Sequence, residues 1–236
     1  MLLFCSQLFT GQKLENFKQS IESEGTFAIS TYSENYYAEV IKNSIPLLDP
    51  IKNKDKTDFD KLKKLFPDFL EGNCLKLDEE VFKPKKFKIC AANTAEKSDS
   101  TSIQVDGKLI LDSKLDEFYI FKYYFMEMGG YYLLNSKTQK IYQVFHLPKF
   151  SEDKSYIVVP YVDYHRFNLQ IIDISTNRRL SYYLGDGKFS LNKIELANIN
   201  SFRKKVLFLD LTQKIIYDED YQTVDEKIRS IKLLIQ

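Results

Sequence analysis

From about residue 85 onward, apolar and polar positions alternate in short runs separated by polar turns: "KFKICAAN", "TSIQV", "KLILD" and "FYIFKYYFMEM". A period of two in runs rich in β-branched and aromatic side chains predicts strands. The Asp-Gly at 106–107 and the Gly-Gly at 129–130 read as hairpin turns between them. The first hundred residues are mixed. Leu14, Phe17 and Ile21 stand at helical spacing and predict a short amphipathic helix over 13–23. "GTFAISTYSENYYAEVI" alternates loosely and predicts a strand or hairpin near 25–41. Phe59, Leu62, Leu65, Phe66 and Phe69 form the stripe of a second helix, with Asp58 as cap and Gly72 as stop. Pro67 kinks or ends that helix early. At the C-terminus Val224, Ile228 and Ile231 have helical spacing, whereas "SIKLLI" reads equally as a strand that closes a sheet.

Three of the strand–turn–strand units share a pattern: "YYLLNSKTQKIYQV" (131–144), "LQIIDISTNRRLSYYL" (169–184) and "VLFLDLTQKIIYDED" (206–220). Asn135, Asp173 and Asp210 are expected to end the first strand of each, at spacings of 38 and 37, with Thr138, Thr176 and Thr212 in the turns. Asp and Asn suit that place because their side chains accept hydrogen bonds from backbone amides just ahead of them. A second landmark keeps the same spacing. Phe150 and Phe189 lie 39 apart, each followed by Ser and a polar stretch, and Ser113 precedes Ser151 by 38. Together these landmarks predict a structural repeat of about 38 residues.

"LPKFSEDKSYIVV…LQIIDISTNRRL" resembles the WD-type and Tol-type β-propeller repeat. Pro148, Phe150, Ser151, Asp153, Lys154, Asp173 and Thr176 match its Pro-x-Phe-Ser-x-Asp-x-Lys run and its Asp-x-x-Thr-Gly-x turn. The turn glycine is replaced by Gln139, Asn177 and Gln213, and the chain has no Trp. The resemblance covers about 113–217. It implies a mainly β fold of antiparallel, propeller-like repeats with a few N-terminal helices; the alternative is a β-sandwich-like α+β fold. Residues 13–100 are expected to form a mixed helix and strand portion and 101–236 the repeats, the two making one continuous domain. Three such units do not close a ring, which takes about four to eight.

Composition narrows function by exclusion. The 34 basic and 33 acidic side chains leave a net charge of +1, which gives no support for phosphate-dominated nucleic-acid binding. No apolar run reaches the roughly 18 residues of a transmembrane helix. "MLLFCSQLFTGQK" reads either as the remnant of an export signal over 1–12 or as an N-terminal strand packed into the core. An exported chain would be free to pair Cys74 with Cys90; a cytosolic one would keep them as buried thiols. Export, to a periplasm or outside the cell, is favoured over the cytoplasm.

Catalytic signals are sparse. Neither Cys74 nor Cys90 sits in a catalytic motif, and no nucleophile elbow or phosphate loop is present. His146 is expected at a strand end with its ring hydrogen-bonded. "PYVDYHRF" gathers Tyr161, Asp163, Tyr164, His165 and Arg166 in one connection, and aromatic and Arg side chains are the types favoured at interface hot spots. The expectation is a non-catalytic, cofactor-independent protein that binds a protein partner through these residues. The alternative is a hydrolase with a carboxylate and histidine site on the same loops.

Overall fold

Alternating side chains make strands where both faces of a sheet find cover, and after residue 107 this chain does so with few interruptions. The computed structural model describes residues 17–18, 27–52, 59–71, 74–77, 86–90, 102–105, 108–125, 128–163, 166–185, 188–199, 204–216 and 223–235. These are mainly β, in antiparallel sheets that do not close into a barrel. Four sheets follow one another along the chain. Sheet I holds Leu70–Glu71, Cys74–Leu77, Lys86–Cys90 and Ser102–Val105 in that order, its last pair being parallel. Sheet II holds Lys108–Leu115, Phe118–Phe125, Met128–Asn135 and Ile141–Val144. Sheet III holds Lys149–Ser151, Tyr156–Asp163, Arg166–Asp173 and Arg179–Leu184. Sheet IV holds Lys188–Ile199, Lys204–Ile216 and Thr223–Ile235, and takes its fourth strand, Phe27–Thr31, from near the start of the chain.

Contacts divide the chain into two units: Met1–Asn43, Tyr161–Leu169 and Arg178–Gln236 in one, Ser44–Pro160 and Gln170–Asn177 in the other. In the second unit, sheet II is covered on both faces. Period-two alternation sends Phe121, Tyr132 and Leu134 to one side, where they meet Leu62 and Phe66 of the helical segment and Leu70 and Leu75 of sheet I. Phe118, Ile120, Leu133 and Tyr142 go to the other, against Phe150, Ile157, Val159 and Ile172. The rings of Phe118 and Phe150 are 4.8 Å apart. The helix runs Phe59–Leu65 and ends before Pro67, as expected, with the amide of Leu70 bonded to the carbonyl of Phe66 at 3.0 Å. The proposed cap Asp58 and stop Gly72 lie outside the described residues.

Turn chemistry fixes the hairpins of this unit. Asn135 Oδ1 accepts from the amides of Lys137 and Thr138, both at 2.9 Å. Asp173 Oδ1 accepts from the amides of Ser175 and Thr176 at 2.9 and 3.1 Å. Gln139 and Asn177 follow with φ of 54° and 58°, the left-handed region that a glycine would occupy at no steric cost. Ser151 is fully buried and its Oγ accepts from the amides of Ser155 and Tyr156 at 3.1 and 2.9 Å. Asp153 Oδ1 accepts from the Ser155 amide at 3.1 Å. The chain then reaches Lys154, with φ of 54°; Asp116, at the tip of the first hairpin of sheet II, has φ of 47°. The amide of Ser136 bonds to the carbonyl of Glu117, and that of Ile174 to the carbonyl of Ser155, each at 2.9 Å. Leu47–Leu48 and Ile51–Lys52 lie along the first strands of sheets III and II, pairing Leu47 with Ser151 and Lys52 with Ser113.

Four expectations are corrected. Gly129 and Gly130 are not a turn but part of the strand Met128–Asn135. They are there because cross-strand tyrosine rings lie over them: a Cβ on Gly130 would sit 2.8 Å from the Tyr123 hydroxyl oxygen. Phe17–Lys18, expected in a helix, pair as a strand with Leu184 and Tyr183; completing a ladder edge outweighs a helix too short to be stable alone. The rest of 13–23 lies outside the described residues, as does the Asp-Gly at 106–107. Within 25–41 only Phe27–Thr31 is a strand; Glu34–Val40 is a helix, capped by Ser33, whose Oγ accepts from the Tyr36 amide at 3.3 Å. Asp210 and Thr212 are not at a turn. They lie within the continuous strand Lys204–Ile216, and opposite them a bulge between Leu191 and Lys193 takes the place of a turn. The ambiguous C-terminal run is a strand, Thr223–Ile235.

Candidate functional site

The residues singled out from sequence stand at one hairpin of sheet III. Tyr161 and Asp163 belong to the end of the strand Tyr156–Asp163, and Arg166 opens the next, Arg166–Asp173. Tyr164 and His165 fall outside the described residues. Tyr161 is half-buried, Arg166 is exposed, and Val162 between the two aspartate-flanking positions is 38% exposed. Farther along the same strands Ile157, Val158, Val159, Phe167, Ile171 and Ile172 are fully buried. Local sequence explains the contrast: apolar alternation drives the strand bodies into the interior, and that drive ends before the exposed Val162 and Arg166.

A second cluster was not legible beforehand. In the other part of its unit, the helix Glu34–Val40 lies on sheet IV through a polar and aromatic network. The Tyr32 hydroxyl donates to Asp210 Oδ1, and that of Tyr37 to Glu195 Oε2, both at 2.6 Å. Lys193 Nζ stands 3.0 Å from Asp210 Oδ2, 3.7 Å from Glu195 Oε2 and 3.9 Å from the centre of the Tyr37 ring. Beneath them Phe208 is fully buried, with the rings of Tyr32 and Tyr37 set edge-on at 4.9 and 5.2 Å. Burial and the bond to Asp210 push the Tyr32 hydroxyl up to about 12. Asp210 is held below the ordinary carboxylate value: burial opposes this, and its bonds to Tyr32 and Lys193 outweigh it. Lys193 is held above the ordinary lysine value against burial by Asp210 and its tyrosine neighbours.

Tyr32, Lys193 and Asp210 are each held in their ordinary charge state at neutral pH. The hydrogen bonds and ring contacts join the helix and the residue before Ser33 to sheet IV. The sequence signal for it existed: Lys193 and Glu195 are two apart on a strand and share a face. Glu195, however, draws its partner Tyr37 from 158 residues away, and Asp210 draws Tyr32 from 178.

His146 follows the strand Ile141–Val144, and its ring lies 6.4 Å from that of Tyr131. Burial among its neighbours and the charge of Lys122 keep it below the ordinary histidine value, so it is neutral at pH 7. Cys74 is disulfide-bonded, and the residue opposite it in the ladder of sheet I is Cys90. Among the described residues no three of His, Cys, Asp and Glu gather as a metal ion would require. No described helix is long and apolar enough to cross a membrane. In comparisons with known proteins, no family model, curated protein or solved structure matched this chain.

Proposed function

We propose that this chain is a non-catalytic, exported binding protein, built on propeller-like repeats of about 38 residues, whose hairpin tip at Tyr161, Asp163, Tyr164, His165 and Arg166 meets a protein partner. The observation that carries the binding role is the contrast along the strands Tyr156–Asp163 and Arg166–Asp173. Their apolar residues Ile157, Val158, Val159, Phe167, Ile171 and Ile172 are fully buried, while Val162, 38% exposed, and the exposed Arg166 stand near the hairpin end. A rigid support that presents an apolar side chain and an arginine is what an interface anchor requires.

The repeat reading is supported by geometry that recurs at a spacing of 38. The pairs are Asp116 with Lys154 and Gln139 with Asn177 in left-handed backbone, and Ser136 with Ile174 in the bonds that join successive hairpins. The disulfide at Cys74 supports export, because such bonds persist in oxidising compartments. The experiment is affinity capture from the native organism with tagged wild type, Val162→Asp and Arg166→Glu side by side. A partner retained by wild type and lost on both variants is expected. A partner retained equally by all three removes the hairpin from the interface, and hydrolytic turnover in a substrate screen without any partner favours an enzyme.

A further inference from the structure

At the far end of the second and third strands of sheet II, the ladder places Lys122 directly opposite Tyr131 and Tyr124 opposite Gly129. Alternation sends Lys122, Tyr124 and Tyr131 to the same face as Phe118 and Ile120, with Tyr131 at the margin of the buried core and Tyr124 exposed. Tyr124 is 43% exposed, and Gly129 beneath its ring leaves that face open. The Lys122 ammonium lies 4.6 Å from the centre of the Tyr124 ring and 5.8 Å from that of Tyr131, and His146 borders Tyr131.

Charge separates this lysine from Lys149 and Lys154. Lys149 pairs with Asp49 and Lys154 with Asp116 and Glu117, whereas among the described residues no carboxylate stands within ion-pair distance of Lys122. Ring faces attract an ammonium without neutralising it. The result is a positive charge held in a fixed place by two aromatic walls, one of them solvent-exposed. A single cation suits a single carboxylate, and a net charge of +1 supplies no field for a polyphosphate chain.

We propose that Lys122, Tyr124 and Tyr131 form a docking site for an acidic segment of a partner protein, with one Asp or Glu carboxylate on Lys122 and a neighbouring apolar side chain against Tyr124. The proposal rests on the protein-binding reading above and specifies the chemistry of the partner at a different place. An arriving carboxylate gains the ion pair without displacing an acidic partner among the described residues, and Tyr124 contributes apolar area with little side-chain entropy to lose.

A random 12-residue peptide library panned on the whole wild-type chain, with Lys122→Gln as the counter-selection, tests it. Enrichment of peptides carrying Asp or Glu beside an aromatic or aliphatic residue is expected. The recovered synthetic peptides should bind about tenfold more weakly to Lys122→Gln, close to wild type to Lys122→Arg and to the control Lys114→Gln, and more weakly as salt is raised. Circular dichroism shows whether each variant keeps its fold, and Lys122→Met, which keeps the stem and removes the charge, carries the test with the same expected loss if Lys122→Gln does not fold. Recovery of no peptide, recovery of peptides without acidic residues, or equal affinity for Lys122→Gln each overturns the proposal. So does tighter Lys122-dependent binding of a single-stranded oligonucleotide. A natural partner lost on Arg166→Glu but kept on Lys122→Gln overturns this site alone and leaves the binding role standing.

Discussion

Gly130 shows how one position can carry a constraint that its neighbours do not suggest. A Cβ there would lie 2.8 Å from the Tyr123 hydroxyl oxygen and 2.9 Å from the carbonyl oxygen of Val144. The ring is the end of a side chain and can shift, but the carbonyl belongs to the adjacent strand and cannot do so without disturbing the ladder. Gly129 is less confined, its nearest contact being the Tyr123 carbonyl at 3.2 Å. Gly130→Ala should therefore cost about 1–3 kcal/mol in a urea titration, and Gly129→Ala distinctly less. Equal effects would mean that strand propensity, not the cross-strand contact, selects glycine at this place. The Gly-Gly pair was legible as a special backbone site from sequence. That it serves ring packing rather than a turn depended on which residues the ladder sets opposite, and this is not encoded locally.

At the scale of elements, the helix Glu34–Val40 depends on groups whose protonation is linked to folding. The folded Tyr32 hydroxyl, at about 12, lies above its ordinary value near 10. Its contribution is fully present below the unfolded value and is lost as pH rises through the folded one, between about pH 10 and 12. Asp210 behaves in the opposite sense: its folded value is depressed, so its contribution holds above the ordinary carboxylate value and fades as pH falls through the folded one. Thermal melts of wild type and Tyr32→Phe from pH 8 to 12 should converge as pH approaches 12, because the variant has lost the linked group already. Curves that stay parallel over that range would show that the Tyr32–Asp210 bond does not contribute to holding the helix. The helix itself was readable in part: Ser33 is a good cap, and Tyr36, Tyr37 and Val40 fall on one face. Loose alternation through "GTFAISTYSENYY" hid the boundary, since Tyr favours strands and the partners that reward a helix here lie on distant strands.

For the whole molecule, the consequential covalent feature is in sheet I. Cys74 is disulfide-bonded, Cys90 faces it in the ladder, and the third cysteine, Cys5, lies outside the described residues. Non-reducing peptide mapping of native protein should recover a linked pair containing Cys74 and Cys90. Cys74→Ser should lower stability by about 2–4 kcal/mol by freeing the unfolded chain. Free thiols at both positions in native material would remove the argument for an oxidising compartment. The sequence could name this pair but not join it, because joining required the register of two strands.

The division between what was and was not legible follows from the range of the interactions. Binary alternation, the stop at Pro67 and the side-chain-to-amide bonds of Asn135, Asp173 and Ser151 act within a few residues. The sequence alone therefore determined a mainly β chain, a helix interrupted at Pro67, and the turns closed by the side chains of Asn135, Asp173 and Ser151. Asp210 and Thr212, one residue closer together than Asn135 and Thr138 or Asp173 and Thr176, did not make a turn. There Tyr32 and Lys193 take up the carboxylate, and the backbone continues as a strand. Tertiary structure alone decided that exception, the covering of sheet II on both faces, the helix on Phe208 and the pairing of Phe27–Thr31 with the C-terminal strand. Each of these depends on groups brought together from distant parts of the chain, and the free energy of such contacts exceeds the local preferences that a linear pattern expresses.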